Sequence, residues 1–388
     1  MTAAPPAANP SCPLSAVNQA LLLLQSDELS MRVEAAKEIR RLTKTSPRYR
    51  RQLSAAVGPL VGMLRCCDSA DANEAALAAL LNLAVKDERN KVNIIEAGAL
   101  EPIISFLQSE NPILHENSAA ALVTLSASPR MKPIIISSGA IPPLINILNH
   151  AGPQAKLDAL TALHNLSTHR DAISPILEAQ PIPPLVSILK SHRKCSRLSE
   201  KSAALLELLA AAASDELVAE RGGVLAVVEV LECGSKRARA HAVGALLAMC
   251  EENRERYREA ILKEGAIPGL MELTVEGGPE ARAKARALLG LLREDPGPRS
   301  EGVGPDELEE IVRGIVLGIE EEEQLRKAKR VLAEMVQVSM ERSLEHLQKR
   351  ASRGMDGVLN WVYSTRLIEH LKARVYVYSV PFHDLFLR

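Results

Sequence analysis

A short run, Gly139-Ala140-Ile141-Pro142-Pro143-Leu144, returns along the chain at a nearly fixed interval, and that interval restricts the fold more than any other property. Ile141-Pro142-Pro143-Leu144 reappears 41 residues on as Ile182-Pro183-Pro184-Leu185, then as Val224-Leu225-Ala226-Val227 and Ile267-Pro268-Gly269-Leu270. Upstream the same place is held by Leu100-Glu101-Pro102-Ile103 and Val57-Gly58-Pro59-Leu60, so the steps are 43, 41, 41, 42 and 43 residues. Self-similarity at this period marks stacked helical repeats. Each unit is too small to bury its own apolar face and is stable only against its neighbours.

One plan is legible inside each repeat. A short helix comes first, and a tight turn follows with Gly98, Gly139, Gly222 or Gly265 two residues before the recurring apolar position. Glycine ends a helix cheaply because it enters the left-handed region without a Cβ clash. Gln180 holds this place in one repeat, which predicts a turn made differently there. A second helix opens with Pro102, Pro142, Pro183 or Pro268, and a third, longer helix with Pro112, Pro153 or Pro279. Proline is tolerated in a first turn, where its missing N–H had no helical partner. The third helices align without gaps through a leucine column, Leu80, Leu122, Leu163, Leu205, Leu246 and Leu288, which is assigned to the core. The alanines before these leucines let neighbouring helices approach. With Arg41 at the equivalent place in the first repeat, about seven repeats fill residues 14–293.

The expected class is therefore all-α, an α-solenoid. Residues 1–13, rich in Ala and Pro, have the composition of a disordered leader. A Pro/Gly/charge-rich break over 294–305 acts as a linker. Residues 306–353 are expected to supply a degenerate C-terminal capping repeat: Asp306 with Glu309 forms a capping box, and Val331-Leu332-Ala333-Glu334-Met335 resembles the third-helix pattern. The stretch 354–388 is an atypical tail with six of the nine aromatic residues and no repeat register.

Composition limits the chemistry. A formal net charge of −1 gives no global reason to expect nucleic acid or an anionic membrane as partner. No apolar run is long enough for a membrane span. The six cysteines show no C-x-x-C pair and are expected as buried or half-buried reduced thiols, which with the absent signal pattern suggests a cytoplasmic or nuclear protein. No phosphate loop, dinucleotide fingerprint, metalloprotease helix or nucleophile elbow is present. His115, His164 and His241 fall singly in third helices of different repeats, a pattern for groove or core side chains rather than metal ligands. No enzyme activity, cofactor, metal or small-molecule substrate is expected.

In a solenoid of this plan the third helices stand side by side and line a groove. The column Arg41, Asn82, Thr124, Asn165, Glu207, Ala248 and Gly290 then faces a ligand along the array. An Asn amide both donates and accepts, as an extended peptide backbone requires. The column one turn earlier holds Lys37 and Thr161 among mostly small residues (Ala78, Ala120, Ala203, Gly244), which predicts an open floor. The candidate partner-binding residues are thus Arg41, Asn82, Thr124, Asn165, Glu207, Lys37 and Thr161, and the partners other proteins or extended peptide segments. A basic cluster, Arg40, Arg41, Lys44, Arg48, Arg50 and Arg51, either meets an acidic segment or phosphate, or is a solvated helix end. Without interleaved aromatics it makes a poor nucleic-acid platform.

At Glu96-Ala97-Gly98-Ala99-Leu100, Ser138-Gly139-Ala140-Ile141-Pro142-Pro143-Leu144 and Ala162-Leu163-His164-Asn165-Leu166-Ser167 the chain resembles the armadillo (ARM) family. The likeness is closest to plant ARM-repeat proteins related to the ARM halves of plant U-box E3 ubiquitin ligases. It implies a right-handed superhelix, a right-handed α-solenoid of three-helix repeats, used as a non-catalytic scaffold or adaptor, in plant signalling or ubiquitination. In the U-box relatives this part selects substrates, so a substrate-recognition component of a U-box-type ligase is the alternative reading; no U-box pattern is visible here. A nuclear-import adaptor is a weaker alternative, because that likeness implies Trp one turn before the Asn, where this chain has Ala78 and Thr161.

Overall fold

The computed structural model of the protein describes residues 13–66 and 69–293. The leader, the linker, the capping segment and the aromatic tail expected from sequence lie outside the described residues. The chain opens with α1 (Pro13–Leu23) and α2 (Leu29–Thr43), followed by triplets: α3 (Pro47–Gln52), α4 (Val57–Cys66) and α5 (Ala70–Ala84); then α6 (Glu88–Glu96), α7 (Leu100–Phe106) and α8 (Pro112–Ser126). The next are α9 (Lys132–Ser137), α10 (Ile141–His150) and α11 (Pro153–Ser167); then α12 (Ile173–Glu178), α13 (Ile182–Ser191) and α14 (Arg197–Ala219). The last are α15 (Gly223–Cys233) and α16 (Lys236–Glu252), then α17 (Arg254–Lys263), α18 (Ile267–Glu276) and α19 (Pro279–Leu292). No strand occurs among the described residues. The fold is an all-α solenoid of three-helix repeats, and its described residues fall into two compact units that divide between Met249 and Cys250.

Local chemistry sets the breaks. Asp87 accepts from Asn90 N at 3.0 Å to start α6, Asn111 from Ile113 N at 2.9 Å to start α8, and Asn253 from Arg256 N at 3.1 Å to start α17. Each side chain satisfies an N–H that the helix itself leaves unpaired. Prolines sit in the first two positions of α8, α10, α11, α13, α18 and α19, as their spacing predicted. Gly98, Gly139, Gly222 and Gly265 have φ of 84°, 79°, 67° and 77°, the left-handed turn expected between first and second helices. The expectation for Gln180 is corrected: it takes the same conformation, φ 55°. Neighbouring repeats fix the path of the chain there, so the glutamine carries the strain rather than remaking the turn.

In unit 1 the third helices α2, α5, α8, α11, α14 and α16 form a ladder. Leu80, Leu122, Leu163, Leu205 and Leu246 are buried, and so are the alanines before them, Ala79, Ala121, Ala162, Ala204 and Ala245. Small residues at these contacts allow close helix approach, and the leucines fill the space behind. α14 runs on past its third-helix length because Ala210 to Ala213 offer no breaker. Ala213, at φ −119° and ψ 19°, is the one non-helical residue within it, so the first helix of the next repeat joins on directly.

Polar ties cross between repeats. Arg50 of α3, 8% exposed, donates from Nε to Thr43 O (3.0 Å), from Nη2 to Lys44 O (3.2 Å) and from Nη1 to Val85 O (3.2 Å). These carbonyls lie at or just beyond the C-termini of α2 and α5, where no backbone N–H is left to meet them. Asn90, 1% exposed, donates to Arg50 O and Leu83 O, both at 3.0 Å, and accepts from Ser54 Oγ at 2.6 Å. Placing Arg50 in an exposed basic cluster is therefore corrected: its neighbours are at the surface and it is not.

Unit 2, in its described part, packs α17, α18 and α19 around Tyr257, Ile261, Leu270, Leu273, Leu288 and Leu292. Arg254 Nε donates to Leu291 O at 2.7 Å and Arg258 Nε to Leu292 O at 2.9 Å, again closing a third helix with arginines from a first helix. Ala287 is exposed, unlike the other alanines of its column.

Candidate functional site on the third-helix ladder

The third helices of unit 1 present one face to solvent, and the sequence-derived column lies on it. Lys37 and Arg41 are exposed, while Asn82, Thr124, Thr161, Asn165 and Glu207 are half-buried. None is turned into the packed interior. A residue and its i−4 neighbour share a face of a helix, so the two columns form one surface.

Each predicted residue has a defined environment. Lys37 Nζ meets Glu34 at 2.9 Å, and Arg41 grips Glu38 with two bonds of 2.7 and 2.6 Å. These exposed pairs hold the Lys37 ammonium above its ordinary pKa and the Glu38 carboxyl below its own. Thr124 and Thr161 turn their hydroxyls back to Ala120 O (3.1 Å) and Leu157 O (2.8 Å) on their own helices. The asparagines reach back one repeat. Asn82 Nδ2 donates to Arg40 O at 2.9 Å; Asn165 Nδ2 donates to Ser126 Oγ at 3.2 Å and Val123 O at 3.4 Å. The amide oxygens of both asparagines have no partner among the described residues and remain acceptors on the face.

Glu207 behaves differently. It reaches forward one repeat, where Oε2 meets His241 Nδ1 at 2.6 Å. Its carboxylate lies against Gly244: a Cβ there would stand 1.8 Å from Oε1 and 2.4 Å from Cδ. Glycine inside a helix costs stability, and here it makes room for that carboxylate. The open floor expected at Gly244 is thus filled. His164, on the same ladder, has a buried Nδ1 without a partner, and burial, with Lys201 and His241 nearby, lowers its pKa.

Sequence reasoning missed a row of carboxylates. Glu74, Glu116, Asp158 and Glu200 sit one per helix on α5, α8, α11 and α14, each seven or eight residues before the Asn column, hence about two turns along the same face. The offset, eight residues in α5 and α8 and seven in α11 and α14, was available as a signal. Burial raises the Asp158 pKa, while Glu74 accepts from Asn111 and Glu200 from Ser235. Acidic groups toward a helix N-terminus complement its dipole, so part of this row serves stability.

No group of three metal-ligating side chains occurs among the described residues. The cysteine expectation holds for Cys250, which is buried with its thiol pushed up to about 11 by burial. It is corrected for Cys66, Cys195 and Cys233, which are exposed because they stand at the ends of second helices or in the loops that follow, not in the ladder contacts. Cys12 and Cys67 lie outside the described residues. No single helix among the described residues is long and apolar enough to cross a membrane.

The family model of the plant U-box protein ARM repeat region matches residues 25–297. U-box domain-containing protein 45 of Arabidopsis thaliana is 36% identical over 100 residues, which are 25% of this chain and 13% of that protein. The chain thus matches only a small part of the length of that curated relative. The crystal structure of an engineered protein superposes with a TM-score of 0.64 at 22% identity, over 92% of this chain and 88% of the other. A designed armadillo repeat protein in complex with the peptide (KR)4 gives a TM-score of 0.48 at 18% identity, over 71% of this chain and 99% of the other.

Proposed function

Because the chain belongs to the plant U-box protein ARM repeat family, we propose that it is a non-catalytic scaffold that holds an extended segment of another protein on its third-helix ladder. The observation that carries this reading is the pair Asn82 and Asn165. Each is anchored through Nδ2 to the preceding repeat and keeps its amide oxygen directed to no partner among the described residues. An extended chain has N–H groups that need such acceptors when it leaves water. Thr124 and Thr161 between and beside them leave the surface low enough for a backbone to lie on it.

The test is capture of partner proteins by the full chain and by the double variant Thr124→Arg/Thr161→Arg. These substitutions put two long cations on the face without touching the asparagine ties. The reading expects the partner set to be lost with an unchanged melting temperature. Retention of the same partners, or a loss that accompanies unfolding, refutes it. A second reading, substrate selection within ubiquitination, is favoured by the family match alone. It is tested by adding the purified chain to a charged conjugating enzyme, with and without a separate ligase, and scoring modification of the captured partner.

A further inference from the structure

A second charged feature runs along one edge of unit 1. Arg48, Arg89, Arg130 and Arg170 recur at steps of 41, 41 and 40 residues, one per repeat in four consecutive repeats, and all four are exposed. Arg48 is the second residue of α3, Arg89 the second of α6, Arg130 lies two residues before α9, and Arg170 begins the short 3-10 turn that leads into α12. The edge is continuous. Asn90 Nδ2 ties the start of α6 to Arg50 O of α3 at 3.0 Å, and Lys132 Nζ reaches Thr168 Oγ1 of the next repeat at 2.5 Å. Arg48 and Arg89 make no hydrogen bond or ion pair among the described residues. Arg130 lies near Glu88, and Arg170 faces Asp171 at 3.4 Å while 91% exposed. The acids of this edge are otherwise engaged: Asp87 caps Asn90 N at 3.0 Å and Glu88 holds Lys91 at 2.6 Å.

Helix stability does not explain these arginines. The N-terminus of a helix carries the positive end of the dipole and favours carboxylates; a cation there is repelled. Cations at third-helix ends, such as Arg40 and Lys44, suit their place, whereas Arg48 and Arg89, in the first turns of α3 and α6, oppose theirs. Their residue type is also informative. A guanidinium binds carboxylate or phosphoryl oxygens through two parallel bonds, which an ammonium cannot do.

We propose that this arginine row is a docking edge for an extended peptide segment bearing an anionic side chain, carboxylate or phosphorylated, at every third residue. Stacked helices lie about 8–10 Å apart. A chain extended in the polyproline II form rises about 3.1 Å per residue with three residues per turn, so every third side chain returns to the same face and meets the next repeat. The proposal concerns a surface separate from the asparagine face and stands or falls independently of it.

The test uses the full chain and fluorescently labelled 15-residue peptides in anisotropy titrations. One peptide has phosphoserine at every third position, one has glutamate at the same positions, and one has the same phosphoserines placed contiguously. A single-stranded oligonucleotide of equal charge is the fourth probe. At least one periodic peptide is expected to bind about tenfold tighter than the contiguous isomer and the oligonucleotide. Arg48→Glu/Arg89→Glu should weaken it at least tenfold with a melting temperature unchanged or raised, because glutamate suits a helix start. Thr124→Arg/Thr161→Arg should leave it intact. The proposal is overturned if neither periodic peptide binds, if the contiguous isomer or the oligonucleotide binds as well, or if the arginine variant binds like the parent. Loss of binding only in the threonine variant overturns the edge and leaves the ladder face standing.

Discussion

Arg50→Ala should cost far more than its place in a run of surface arginines suggests. The guanidinium closes three carbonyls, Thr43 O, Lys44 O and Val85 O, at 3.0–3.2 Å, and joins the ends of two ladder helices. A hydrogen bond from a charged donor contributes about 1.5–3 kcal/mol, and a buried acceptor left without a partner costs about 1–3 kcal/mol. Lys44 is exposed and water can replace that bond; Thr43 is fully buried and water cannot. The loss should therefore be about 3–4 kcal/mol. In a solenoid it should be concentrated at the contact of α2 with α5, since each repeat depends mainly on its neighbours. Amide hydrogen exchange is the suitable assay because it resolves local opening at the ends of individual helices. The expected result is an increase of about 200- to 800-fold in exchange at the ends of α2 and α5, with α10 to α13 changed little. Arg50→Lys, which keeps the charge but not the three-way geometry, should recover less than half of the loss. Arg51→Ala, at an exposed site, should be nearly neutral. An Arg50→Ala effect below tenfold, or full rescue by lysine, refutes the argument that geometry closes these helix ends.

Three further outcomes follow from the same structure. Gln180→Gly should stabilise by roughly 0.5–1 kcal/mol in thermal or urea unfolding, since relief of a left-handed non-glycine residue exceeds the added chain entropy of glycine; no gain, or a loss, removes the claim of strain. The His164 pKa is lowered in the folded state, so the unfolded chain binds the proton first and stability falls as pH drops below about 6.5. His164→Leu should remove that part of the slope and, by replacing an unpartnered Nδ1 with the residue type of Leu81, Leu206 and Leu247, gain about 1 kcal/mol at neutral pH; an unchanged slope in paired melts would contradict it. Asn82→Ala and Asn165→Ala should each destabilise by about 1 kcal/mol through loss of the tie to the preceding repeat; neutral effects on melting would mean that these bonds do not hold in solution.

The repeat was legible because helix starts, turns and core columns are written in residue types with narrow backbone preferences. Proline at a first turn, glycine at a left-handed turn and leucine in a buried column each leave a periodic mark. The ties between repeats left no such mark. Arg50 stands in a row with Arg48 and Arg51, and nothing in composition distinguishes the one that turns inward; only the helix ends brought near it, through contacts 35 residues away, decide that. The same limit applies to Gln180, whose conformation is imposed by the stacking of its neighbours, and to Glu207, whose position depends on the missing side chain of Gly244 in the next repeat.

The candidate face was legible as a column but not in its energetics. Asn82 and Asn165 read from sequence as residues kept for a ligand, yet each first serves the solenoid by donating to the helix before it. The two roles are compatible because an amide has a donor end and an acceptor end. The donor end fixes the spacing of neighbouring repeats, and so fixes where the acceptor end points. A partner segment would then meet acceptors whose orientation was already settled on folding, with little side-chain entropy left to lose on binding. Asn82→Asp separates the roles: it keeps an acceptor toward the face and removes the donor toward Arg40 O. It should lower stability as much as alanine does, or more, because a carboxylate is then aimed at a carbonyl. If the aspartate variant keeps the stability of the parent, the donor end is not what orients this side chain.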